Sequence, residues 1–184
     1  MLPTHRYLAI IAPSPSVSEA VLHLRHKLHA GIGSFSGRLL RPHITLFIAD
    51  IPETLGGAVE QGMARAAKEA KTFRVTYNGI THFPDKRTIY IHPMEKEAIG
   101  HLRVSVLSSL STAEGLRGHI RPTDHPHLTI ASGLKPQQFA TAWPMLAPHV
   151  FADAHAVDSI ALLRRELRPA AEYEMVKEFP FGTG

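Results

Sequence analysis

The chain has 184 residues, 44% of them hydrophobic and 20% charged, with 13 histidines, no cysteine and a formal net charge of +4. The absent thiol excludes a disulfide framework, a cysteine–zinc site, a cysteine-bound iron–sulfur cluster and a cysteine nucleophile, and the composition is that of an ordered globular chain. The mild basic excess suits an anionic ligand such as a nucleotide or an RNA end, although no Lys/Arg-rich tail accompanies it.

The N-terminal stretch Met1-Leu2-Pro3-Thr4-His5-Arg6 has no long apolar segment of the signal-peptide kind and leads straight into a predicted strand over 6–12. Pro13-Ser14-Pro15 stops that strand, and Ser16 or Ser18 is placed to cap a helix over 17–29 carrying Val21, Leu24 and Leu28 on one stripe. A Gly/Ser-rich loop over 31–37 precedes a strand over 42–49. Pro52 opens a second helix through Val59, Met63, Ala66 and Ala70. A strand over 73–78 meets a turn at Asn78-Gly79, and a further strand spans 87–92. Then come a helix over 95–111, a strand over 127–131, a helix from Pro136 toward Leu146, and closing strands over 157–164 and 173–179. No run approaches the roughly 20 apolar residues of a membrane span. A cytoplasmic monomer is expected.

Pro42-His43-Ile44-Thr45-Leu46 returns 84 residues later as Pro126-His127-Leu128-Thr129-Ile130. The same shift lays Pro52 on Pro136 and Ala58 on Ala142, and the order of helices and strands agrees around it. These are the only His-x-Thr triplets in the chain. A bare His-x-Thr arises about once by chance at this composition, whereas the flanking Pro and apolar places lower that to roughly 0.01 per chain. The expected architecture is α+β, bilobal, with pseudo-twofold duplicated antiparallel sheets, flanking helices and a central cleft carrying both motifs. Residues 1–184 form a single two-lobed domain in this reading, with repeats near 17–92 and 101–180 and an extra N-terminal strand over 6–12.

Alternation in a strand sets His43, Thr45 and Phe47 on one face and Ile44, Leu46 and Ile48 on the other; in the second copy His127, Thr129 and Ala131 face together. The apolar face seeks the core, so the His and Thr side chains line the cleft. Two imidazoles suit phosphodiester cleavage: a neutral one takes a proton from water or a ribose hydroxyl, and a protonated one gives a proton to the leaving oxygen. Thr45 and Thr129 are placed to donate to the non-bridging phosphate oxygens. This chemistry needs no metal and no cofactor.

The two motifs resemble the signatures of the two-histidine (2H) phosphoesterase superfamily, and within it the 2′-5′ RNA ligase-like group that includes 2′,3′-cyclic phosphodiesterases. The run Arg6-Tyr7-Leu8-Ala9-Ile10 is similar to that family's first strand, and the segment from Phe83 to Ile91 to its central hairpin. The resemblance implies a bilobal fold, His43 and His127 as the catalytic pair, Thr45 and Thr129 as phosphate donors, and no cofactor. The second motif lacks the Arg that follows it in some RNA cyclic phosphodiesterases; Ala131-Ser132-Gly133 stands there instead.

A cationic substrate contact would then come from Arg41 or Arg87. Tyr90, His125 and a base-stacking Phe47 complete the candidate binding set. Arg164, Arg165 and Arg168 form a basic strand end able to meet RNA. His23, His26 and His29 read as a solvated helix face rather than a metal site. The expected reaction is hydrolysis of a 2′,3′-cyclic phosphate or a 2′-5′ linkage on a nucleotide or RNA, with His127 as base and His43 as acid, the reverse assignment remaining open. A nucleotide or RNA-end binding module of the same fold is the alternative.

Overall fold

The computed structural model describes residues 4–182. The expected extent of 1–184 includes residues 1–3 and 183–184, which lie outside the described residues. Strand β1 (Thr4–Ile11) leads into helix α1 (Pro15–Ile32), strand β2 (Ile44–Pro52), a 3-10 turn (Glu53–Leu55) and helix α2 (Gly56–Glu69). Strands β3 (Phe73–Phe83) and β4 (Thr88–Pro93) form a hairpin, followed by α3 (Lys96–Ser111), β5 (Ile120–Pro122), β6 (Leu128–Ala131) and α4 (Pro136–Leu146). The chain then runs through β7 (Ala152–Val157), β8 (Ser159–Glu166) and β9 (Glu174–Pro180).

Among the described residues these strands make one sheet, ordered β7-β3-β4-β6-β2-β1-β8-β9, with β5 on the flank of β2 and every pairing antiparallel. The fold is α+β, as expected, but the two expected sheets are joined. They meet at one registered pair, Ile44 opposite Leu128, between β2 and β6. The halves are not contiguous in the chain either. β3 follows α2 yet pairs with β4, whereas β8 comes back to pair with β1. Register makes β1 the counterpart of β4 rather than an addition outside the repeats: Ala9 opposes Phe47 as Ile89 opposes Ala131, and Ile10 opposes Thr45 as Tyr90 opposes Thr129.

All four helices cover one face of this sheet. Val17, Val21, Leu24 and Leu28 of α1, Val59, Met63 and Ala66 of α2, Ile99, Leu102, Val106 and Leu110 of α3, and Ala142 and Leu146 of α4 bury against Ile44, Leu46, Phe47, Val75, Ile89 and Leu128. Spacings of three and four residues put each helical set on one stripe. Gly62 lets α2 approach α3 closely, since a Cβ there would collide with the Leu110 side chain. The opposite face carries a smaller cluster, Leu8, Ile10, Ala161 and Leu163, with Ile48 and Tyr173 against it.

Several local expectations change. Ser14, not Ser16 or Ser18, caps α1; its hydroxyl accepts from the Val17 amide at 3.3 Å, and Pro15 takes the first helical position. Asn78-Gly79 does not turn the chain. Gly79, at φ 78°, sits in a register shift inside the long strand β3, a bulge that a positive φ accommodates. Strands β5 and β7 were not expected; the alanine-rich run Ala152-Asp153-Ala154-His155-Ala156 becomes a strand by pairing along β3.

Candidate active site

His43 and His127 each stand one residue before a central strand, β2 and β6. Each imidazole is half-buried and held in the same way. Nδ1 of His43 donates to the Arg41 carbonyl at 2.7 Å, and Nδ1 of His127 donates to the His125 carbonyl at 2.7 Å. A carbonyl oxygen only accepts, so each neutral ring carries its proton on Nδ1 and leaves Nε2 as the titrating atom.

The seam between the halves brings the motifs together. Carried one residue to either side, the Ile44–Leu128 register sets His43 against Thr129 and Thr45 against His127. Ile44 and Leu128 are fully buried in the core, so the flanking His and Thr side chains occupy the opposite face. The imidazoles are close enough for the charge of His127 to disfavour protonation of His43.

Simple alternation ends directly after each Thr. The register steps from Ile10–Thr45 to Ala9–Phe47, leaving Leu46 as an extra residue. In the other half it steps from Tyr90–Thr129 to Ile89–Ala131, leaving Ile130 extra. Both motifs therefore contain a β-bulge at the same place. Leu46 and Phe47 are both buried, as are Ile130 and Ala131. Phe47 accordingly belongs to the core and not to the face that carries His43 and Thr45, and Ala131 likewise turns inward; the bulge, absent from a regular two-residue period, is the reason.

Arg25 of α1 lies beneath both motifs. It is 4% exposed, and its guanidinium donates to the carbonyls of Ile130 at 3.0 Å, Thr129 at 2.8 Å and Leu40. It thus serves carbonyls at the second bulge and ties them to the loop leading to the first motif. Burial lowers its pKa to about 10, so it stays charged at neutral pH. Arg103 of α3 similarly donates to the Thr123 carbonyl, in the approach to the second motif.

Both catalytic-candidate imidazoles are held below the ordinary histidine range. For His43 the main cause is burial, then repulsion from Arg25 and His127, opposed by the bond to the Arg41 carbonyl. For His127 it is burial, then repulsion from His125 and Lys86, opposed by the bond to the His125 carbonyl. Desolvation disfavours the charged ring in each case.

The surroundings of the two rings differ. His127 lies 5.4 Å from the Tyr90 ring and 5.1 Å from Phe83, both edge-to-face, and Phe83 stacks on Tyr90 at 4.4 Å. His125 is exposed and packs against Phe83 at 5.2 Å, with the Lys86 ammonium 5.7 Å from the Phe83 centroid. Burial raises the Tyr90 pKa, keeping its phenol neutral as a donor. At the corresponding place beside Thr45 stands Ile10.

Tyr90 and His125 are therefore brought to the second motif. Arg41 is exposed beside the first. Arg87 occupies the turn before β4, at φ 46°, and its Nε donates to the Leu134 carbonyl at 2.7 Å, which braces the hairpin against the segment after the second motif. Two residues were missed. Arg25 had a signal, a charge adjoining the buried Val21-Leu24-Leu28 stripe; Phe83 had only its place at the edge of a hairpin. Among the described residues no three His, Asp or Glu side chains gather as a metal cluster, and no helix is long and apolar enough to cross a membrane.

A model of the 2′-5′ RNA ligase superfamily matches residues 13–169, which include both His-x-Thr motifs and strands β2, β4 and β6. The chain belongs to the 2′-5′ RNA ligase superfamily. A search of curated protein sequences finds no match. Among solved structures, E. coli LigT complexed with 3′-AMP superposes with a TM-score of 0.68 at 14% identity, covering 97% of this chain and 98% of that one. TT0787 of Thermus thermophilus gives 0.67 at 19% identity over 97% and 100%. A structure described as a phosphoesterase gives 0.66 at 15% over 97% and 99%. At these identities the likeness is one of fold. It is the 2H phosphoesterase fold, and in this superfamily member both histidines sit at the central seam of the sheet.

Proposed function

We propose that this protein is a metal-independent phosphodiesterase that opens 2′,3′-cyclic phosphates or cleaves 2′-5′ linkages on a nucleotide or RNA. The observation that carries this reading is the pair of identically held imidazoles set diagonally across the Ile44–Leu128 seam, each bonded through Nδ1 to the carbonyl two residues before it. LigT structures hold 3′-AMP, ATP and NADP+, which supports a nucleotide ligand for this fold.

In the proposed reaction His127, neutral, takes a proton from water as the new P–O bond forms. His43, protonated, donates to the ribose oxygen as the old P–O bond breaks. Each imidazole ends in the state in which the other began, and solvent exchange resets them. Thr45 and Thr129 donate to the non-bridging oxygens, where negative charge concentrates. The negative charge of the bound phosphodiester also draws the depressed imidazole pKa values upward, so the substrate helps to create the protonated acid. Tyr90 and His125 border this group on the His127 side and Arg41 on the other. End joining would use a hydroxyl of a second strand in place of water: the base takes its proton as it attacks the cyclic phosphate, and the acid protonates the ribose oxygen that leaves.

The test is a panel of 2′,3′-cyclic nucleotides, 2′-5′ dinucleotides and RNA with a cyclic end, with and without chelator. His43→Ala and His127→Ala should each lower kcat by about 10²–10⁴-fold. Activity surviving both substitutions sinks the mechanism, chelator-sensitive activity sinks its metal independence, and saturable nucleotide binding without turnover by the folded protein supports the binding module instead.

A further inference from the structure

The loop leading into each motif is fastened to the bulge of the other. Ahead of the second motif the Thr123 amide donates to the Leu46 carbonyl at 3.1 Å, and Leu46 is the extra residue of the first bulge. Ahead of the first motif the Leu40 carbonyl accepts from Nη1 of Arg25. Nε of the same guanidinium donates to the carbonyl of Ile130, the extra residue of the second bulge, and Nη2 to that of Thr129. One tie is main chain to main chain. The other passes through a single side chain with all three nitrogens engaged.

Each tie lies close to the carbonyl that holds an imidazole. Leu40 adjoins Arg41, whose carbonyl accepts from Nδ1 of His43. Thr123 stands two residues before His125, whose carbonyl accepts from Nδ1 of His127. Each ring is thus held by a loop whose place is set by the opposite motif. The two loops are not equally secured. The second has duplicate support at this point, since β5 is paired along β2 up to Pro122 and Arg103 binds the Thr123 carbonyl. The first is fastened mainly at its beginning, where Gln138 donates to the carbonyls of Ile32 at 3.1 Å and Ser34 at 3.0 Å, and Ser36 bridges to Ser132. At its end, next to the carbonyl that holds His43, stands the bond from Arg25. A planar fork with three directed donors suits that place, and a point charge does not.

We propose that Arg25 is a positioning residue for the paired-histidine site: through Leu40 and Arg41 it sets the His43 ring against Thr129 without touching substrate, whereas the His127 ring is set by main chain. The chemistry so positioned rests on the phosphodiesterase reading; the dependence of the His43 ring on Arg25 does not.

Two measurements separate these ideas. One is 15N NMR of the imidazoles with both rings neutral, which reads tautomer and exchange of the Nδ1 proton and needs no turnover. In Arg25→Gln the His43 ring should gain the Nε2–H tautomer, and its Nδ1 proton should exchange about 5- to 10-fold faster, as for one lost hydrogen bond. His127 should keep its wild-type signals. Arg25→Lys should do less. Inserting one glycine between Leu40 and Arg41 leaves the guanidinium in place and should release His43 in the same way, so the test does not depend on an Arg25 variant folding. Leu110→Ala, in the α2–α3 contact, should lower stability and move neither ring. Urea unfolding confirms that each variant is folded. The other measurement is steady-state kinetics on a 2′,3′-cyclic nucleotide. There kcat should fall about 10- to 100-fold with KM changed less than about 3-fold, the pattern of a displaced group rather than a lost substrate contact. Rings that keep their Nδ1 protons in the folded Arg25 and insertion variants overturn the proposal. So do two rings that loosen alike, a Leu110→Ala protein that behaves in the same way, or a released His43 with unchanged kcat. Selective release of His43 in a protein whose wild type hydrolyses nothing on the panel leaves the positioning of that ring standing and overturns the phosphodiesterase reading.

Discussion

The guanidinium of Arg25 and the main-chain carbonyl of Thr129 meet 2.8 Å apart beneath the candidate site. The same side chain binds the next carbonyl, that of Ile130, at 3.0 Å, and also the Leu40 carbonyl. A helix on one side of the chain thus fixes the backbone of one motif and the approach to the other. No carboxylate shares this buried cation among the described residues; carbonyl dipoles alone solvate it. Arg25→Met should therefore leave several carbonyls without donors and cost about 3 kcal/mol or more. Arg25→Lys should recover only part, because an ammonium cannot reproduce the planar fork. Urea unfolding measures both. In the folded Met variant, NMR titration should find His43 at a higher pKa, since the repulsion from Arg25 is gone.

The pH dependence follows from the two imidazoles. Their ordinary value is 6.5, and both lie below it in the folded protein. The proposed reaction needs one ring neutral and one protonated, so kcat/KM should trace a bell with its maximum on the acid side of 6.5. Bound phosphate favours protonation, so the kcat profile should sit to the alkaline side of the kcat/KM profile. Stability carries the same sign. Unfolded histidines take up protons first as the pH falls below 6.5, so the contribution of these rings is full above that value and is lost below it. Coincident kcat and kcat/KM profiles centred above about pH 7 would contradict this account.

Phe47 separates packing from binding. It is fully buried beside Leu46, on the helix-covered face of β2. Phe47→Ala should cost about 3–5 kcal/mol in denaturant unfolding. A base-stacking role would instead appear as a raised KM with little loss of stability.

On the second motif, Phe83 and Tyr90 wall the His127 ring. Phe83→Ala should lower kcat/KM by about 3- to 10-fold, in line with aromatic contacts of roughly 0.5–1.5 kcal/mol. Tyr90→Phe keeps the ring and removes the donor, so any further fall in kcat reports the hydroxyl. Steady-state kinetics on a cyclic phosphate compare the two.

The sequence discloses the motifs because chemistry and strand pattern coincide there: Pro, His, an apolar residue, Thr and another apolar residue recur with the same shift. It also discloses α4 to the residue, since Pro136 begins it and the apolar pattern ends at Leu146. The bulges after Thr45 and Thr129 stay hidden. Nothing in Leu46-Phe47 or Ile130-Ala131 distinguishes two inward residues from one inward and one outward; the partner strand decides. β7 is hidden for a related reason. Its alanines and polar residues have weak strand preference, and pairing with β3 supplies what the residues lack. Asn78-Gly79 carries turn chemistry, but the same positive φ serves a bulge equally well.

Ile10 and Tyr90 hold the same place in the two halves, one opposite Thr45 and the other opposite Thr129. The four polar side chains nearly interchange under a half-turn about the seam, while the walls beside them do not. Nucleic acid has a polarity, and a perfectly twofold cleft would accept a strand equally in either sense. An aliphatic flank on one side and an aromatic flank on the other make the two senses unequal in energy. Under the proposed function, a site made of near-duplicate parts thereby acquires a heading, and with it a distinction between the two ester bonds of a single phosphate.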